Sequence, residues 1–160
     1  MHLGAASPAR RVLLIGYGNP GRGDDGLGPA LAAEIEALGI EGLTVDIDYQ
    51  LTVDHAALIA AHDAVLFADA MIGLAAPFRF ARVNGTTPAD LGSHQVSPEA
   101  ALALAGLLFG RTPPAWVLAI AGAEFGEVKE GLSAAAQANL TQAVDFLKSW
   151  ISQPAHRQDA

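Results

Sequence analysis

Asp25, Asp69 and His94 are the residues of this 160-residue sequence whose types and places could combine into a reactive site. Each follows an apolar run: Asp25 comes after Arg11 to Tyr17, Asp69 after Ala64 to Ala68, and His94 in the loop after Phe78 to Val83. If those runs are strands of one open sheet, three separated stretches meet beyond the strands' carboxyl ends, where such sheets bind ligands. Two carboxylates and an imidazole offer oxygen and nitrogen donors. That set suits a borderline divalent metal such as nickel or zinc and leaves positions open for substrate. The carboxylates could equally activate a water as general bases.

Each residue also has a plainer reading. Asp24 and Asp25 stand at a helix start, where acids cap amides and favour the positive end of the dipole. Asp69 could be a turn aspartate, and His94, between Ser93 and Gln95, a solvated loop histidine. His2 and His156 lie in the tails, His62 ends a helix and His55 is expected on a helix surface; none is assigned a role.

Several chemistries are excluded. The chain has no cysteine, so it offers no disulfide, thiolate zinc site, iron–sulfur ligand or cysteine nucleophile. There is no G-x-S-x-G elbow and no H-E-x-x-H helix. The net charge of −8 disfavours nucleic acid, whose phosphates need clustered Lys and Arg. No apolar run approaches the ~20 residues that span a bilayer, and Val12 to Ile15 is too short for a signal-peptide core, so a cytoplasmic chain is expected. Gly16 to Gly21 fits G-x-G-x-x-G after a strand, as in dinucleotide sites. The acidic pair at the helix start would repel pyrophosphate, and Asp46 and Asp48 stand too far along for the ribose-binding acid.

The elements that must position these residues are legible as alternating strands and helices. Strands are predicted at 11–17, 43–49, 64–68, 78–83 and 116–121, and helices at about 26–38, 53–62, 98–108 and 134–150, with Asp24, Ser97 and Ser133 as caps. Residues 43–49 alternate apolar and polar, which predicts one wet face. The pattern implies one domain, an α/β/α sandwich around a mostly parallel sheet of about five strands. The connection over 70–77 is too short for a parallel crossover, so one strand is expected to run antiparallel.

Gly16-Tyr17-Gly18-Asn19-Pro20 through Asp24-Asp25-Gly26-Leu27-Gly28 resembles the signature G-x-G-N-x-x-x-x-D-[DE]-G-x-G of the hydrogenase maturation proteases. Tyr49-Gln50-Leu51-Thr52, Ala68-Asp69-Ala70, Ser93-His94-Gln95, Ile120 with Glu124, and Gly131-Leu132-Ser133 resemble later parts of that family. The resemblance implies an endopeptidase that removes the C-terminal extension of a nickel–iron hydrogenase large-subunit precursor after nickel insertion. It implies that Asp25, Asp69 and His94 contact the metal and serve catalysis, with nickel brought by the precursor's own cysteines and other divalent metals able to take its place. It also implies a monomer. Gly18, Asn19 and Asp24 are expected to receive the precursor backbone; tight strand-to-helix packing is the other reading of these glycines. The 122–132 stretch, with Glu124, Phe125, Glu127 and Lys129, is a candidate substrate lip.

Overall fold

A computed structural model describes residues 10–85, 96–126 and 128–153. In chain order the elements are β1 (Val12–Tyr17), a 3-10 turn (Gly23–Gly26), α1 (Leu27–Glu36), β2 (Leu43–Asp48), α2 (His55–Ala60), β3 (Ala64–Met71), β4 (Phe78–Val83), α3 (Pro98–Phe109), β5 (Ala115–Ala121) and α4 (Ala134–Ser152). The five strands form one sheet in the order β2-β1-β3-β5-β4. All pairings are parallel except β4 against β5, which is antiparallel. The short 70–77 connection thus leads to the antiparallel edge strand.

Successive strand residues feed opposite cores, as a period of two requires. Val12, Leu14, Leu66 and Ile120 pack with α1 and α4 on one face. Leu13, Ile15, Val65 and Phe67 pack with α2 and α3 on the other. The predicted three layers are therefore present. Ser97 and Ser133 cap α3 and α4, their hydroxyls accepting the N–H of Ala100 and Ala136. Among the described residues no helix is long and apolar enough to cross a membrane.

The topology fixes where a ligand can enter. β1 leads through α1 to β2 on one side, while β3 lies on its other side after α2 crosses the opposite face. Chain connections diverge between β1 and β3, and a crevice opens at their carboxyl ends. β3 also runs to Met71, three residues past its last pairing with β1 at Ala68. The sequence reading ended this strand near Ala68; instead Asp69 lies within it, held by β5.

Candidate functional site

Tyr17 closes β1 and meets Asp69 of β3 across the crevice, its hydroxyl donating to the carboxylate. Burial pushes the Asp69 carboxyl up to about 6; the charge of Asp25 pushes the same way, while the Tyr17 hydroxyl and the Ala70 N–H pull against both. Burial and the nearby Asp69 charge also push the Tyr17 phenol well above its ordinary value, so it stays a donor. A carboxyl titrating near 6 inside a cleft is suited to accept a proton near neutrality.

Asp25 is positioned by the glycine-rich turn. Its carboxylate accepts the Asn19 N–H at 2.7 Å, and Asn19 Oδ1 in turn accepts the Gly21 N–H at 2.9 Å. Gly18 has φ +145°, and a Cβ there would lie 2.0 Å from the Asp25 carbonyl oxygen. Only glycine lets the turn close this tightly on the segment bearing Asp25. Asp25 and Asp69 thereby face one cavity of about 490 Å³, with Tyr17, Gly18, Asn19 and Gln50 in its wall and Arg22, Tyr49, Ile72 and Phe125 around it. The lip residue Phe125 belongs to this cavity, whereas Glu124 pairs with Lys129 and Glu127 lies outside the described residues. His94 also lies outside them.

Asp24 does not face the cavity, and the substrate-binding expectation for it is corrected. It is fully buried, and its carboxylate accepts the N–H groups of Ala123, Glu124 and Ser133 and the Ser133 hydroxyl at 2.7–2.8 Å. Burial pushes this carboxyl up, but the four donors outweigh it and hold it below its ordinary value. Nor does Asp24 cap its own helix: no side chain caps the 3-10 turn or α1. It pins the β1 turn to the segments after β5 and before α4.

His55 is likewise corrected from a helix-surface residue to a buried one. Its Nδ1 accepts the Thr52 N–H at 3.0 Å, so Nε2 carries the proton and donates to Asp46 at 3.0 Å, with Asp48 at 3.7 Å. The three possible ligand atoms lie within 4.8 Å of one another. A cation on Nε2 would require the proton to move to Nδ1, against the Thr52 N–H. The cluster therefore acts as a hydrogen-bonded tie between β2 and the turn before α2, behind the Tyr49–Leu51 wall of the cavity.

No protein-family model and no curated protein sequence matches the chain. Solved structures do. The hydrogenase maturating endopeptidase HybD from E. coli superposes with a TM-score of 0.64 at 22% identity, covering 87% of this chain and 90% of that one. The [NiFe] hydrogenase maturation protease HycI from Thermococcus kodakarensis gives 0.67 at 18% identity, with 89% and 93% covered. A structure described as the hydrogenase 3 maturation protease gives 0.64 at 19%, with 97% and 99% covered. The chain has the fold of hydrogenase maturation proteases.

On that fold the structure brings Asp25, Asp69, Gly18 and Asn19 together and leaves Asp24 behind them. Tyr17 was missed as a site residue, although its place at a strand end beside Gly18 could have marked it as part of the crevice. Arg22 was also missed; an exposed arginine in a turn carries no local signal of facing a cavity.

Proposed function

We propose that this chain is an endopeptidase that removes the C-terminal extension of a nickel-loaded hydrogenase large-subunit precursor. The observation that carries the reading is the pair Asp25 and Asp69 in one cavity at the switch point of the sheet, with Asp69 raised to about 6, on a fold shared with hydrogenase maturation endopeptidases. Both carboxylates present oxygen donors to the same space, which fits a divalent cation carried in by the substrate. His94 is proposed as a third, nitrogen donor. Nickel here belongs to the precursor: bound there, it marks the loaded substrate and polarises what it touches.

The chain's own residues supply the proton chemistry. A carboxylate of the pair, with Asp69 the poised one, takes a proton from water as the water oxygen bonds to the scissile carbonyl carbon. The carbonyl π pair moves onto its oxygen. Return of that pair breaks the C–N bond, and the carboxyl passes its proton to the leaving amine. Tyr17 orients Asp69, and the Asn19 N–H orients Asp25. The protein brings no thiolate that would compete for the cargo metal. Its place of action on this reading is the cytoplasm.

Intact-mass analysis of a large-subunit precursor, incubated with the protein in nickel-loaded and nickel-free forms, tests the reading. Loss of a C-terminal peptide from the loaded form alone is expected. No loss from the loaded precursor of the cognate hydrogenase would overturn it.

A further inference from the structure

We infer that the side-chain amide of Asn19 is the hydrogen-bond donor that holds the scissile carbonyl oxygen, and the oxyanion it becomes, beside Asp25. This inference rests on the peptidase reading. The observation is an asymmetry in how Asn19 is used. Its backbone N–H is committed to the Asp25 carboxylate at 2.7 Å, which sets the residue against one of the two acids. Its Oδ1 is committed to the Gly21 N–H at 2.9 Å, which fixes the carboxamide plane and leaves its NH2 end without an acceptor among the described residues. No described residue accepts from that NH2 group, and Asn19 lies in the wall of the cavity shared by Asp25 and Asp69.

Amide hydrolysis needs a donor of this kind. When water adds to the carbonyl carbon, the π pair becomes a negative charge on oxygen, in a cavity where two carboxylates repel it. A donor fixed before the charge develops stabilises that charge without reorganising. The alternatives in the wall are less fit. The Arg22 guanidinium is exposed and tied to the Gly126 carbonyl at 3.2 Å, and Gln50 is exposed with no hydrogen bond to another described residue to fix it. The turn thus delivers base and donor from one segment: Gly18 closes it, Asn19 N–H sets Asp25, and Asn19 Nδ2 faces the reacting oxygen.

Asn19→Ser and Asn19→Asp separate this role from a turn-forming one. Both retain an oxygen able to accept the Gly21 N–H, and neither retains the NH2 donor. With nickel-loaded precursor, each is expected to keep the wild-type melting profile and KM while losing about 100-fold in kcat. A folded variant within about threefold of wild-type kcat, or a loss confined to KM, would overturn the inference. So would loss of fold in both variants, which would make Asn19 a turn former alone. Failure of the wild type itself to cleave would instead remove the peptidase reading on which the inference stands.

Discussion

At the scale of single residues the acidic pair Asp24 and Asp25 divides sharply, although the two are adjacent and chemically identical. Asp25 faces the cavity with one backbone donor; Asp24 is buried under four donors. Their substitutions should therefore fail differently. Asp25→Asn and Asp69→Asn are expected to keep the fold and lose at least about 100-fold in precursor cleavage, the usual worth of a general base. Asp24→Asn should instead unfold more easily, by on the order of 3 kcal/mol, because an amide NH2 then confronts buried N–H donors. Denaturant titration reads this directly, and a change below about 1 kcal/mol would show that the network tolerates a neutral group. The division was not legible in the sequence. Asp24 finds its partners 99 to 109 residues along the chain, beyond the reach of any local pattern. Asp25, Asp69 and Asn19 were legible through the signature around the glycine turn and the residues flanking Asp69.

At the scale of elements, local rules worked where the physics is local. The Ser97 and Ser133 caps, the alternating strands and the Gly39 stop, with φ +63°, all follow from neighbouring residues. They failed where another element decides. Asp46 and Asp48 read as a wet strand face, yet His55, the first residue of α2, folds under them and is buried. The seating of α1 is the element-scale feature that the cavity depends on. A Cβ at Gly28 would lie 2.4 Å from the Tyr17 carbonyl oxygen and 2.5 Å from that of Ala68. Both are backbone atoms of the strands that flank the crevice, so neither can step aside alone. Gly28→Ala should cost roughly 3 kcal/mol or more by overpacking and should lower cleavage with it, since Tyr17 and Asp69 move with those strand ends. Gly39→Ala, with open space around its Cβ, should cost only about 1–2 kcal/mol for its left-handed backbone and leave cleavage per folded molecule unchanged. Equal losses in the two variants would mean that α1 does not set the crevice.

At the scale of the whole molecule, alternating strands and helices were enough to give three layers and a parallel sheet, but the order β2-β1-β3-β5-β4 was not written in any one segment. That order places a partly buried carboxylate, Asp69, at the switch point, which has a consequence for stability. Asp69 titrates at about 6 in the folded protein, against about 3.9 when unfolded. Between those values the folded state holds more protons, so stability rises as pH falls through 6 toward 4. Asp24 and Asp63 work in the opposite sense. Four hydrogen bonds overcome burial at Asp24, and the Arg11 N–H, Arg111 and Arg10 favour the ionised form at Asp63, so both are held below their ordinary values. Their contributions are present above about pH 4 and are lost as pH falls below it. Thermal unfolding of the metal-free protein should therefore be most resistant near pH 4–5, about two to three units below the pH at which cleavage, needing ionised Asp69, reaches its plateau. Asp69→Asn should remove the rise between pH 7 and 5 and raise the melting temperature at neutral pH. A wild-type melting temperature that is flat or increasing from pH 5 to 7, or an Asp69→Asn variant with an unaltered profile, would mean that the cavity does not hold Asp69 against its charge. The base of the proposed reaction would then have to be sought in Asp25.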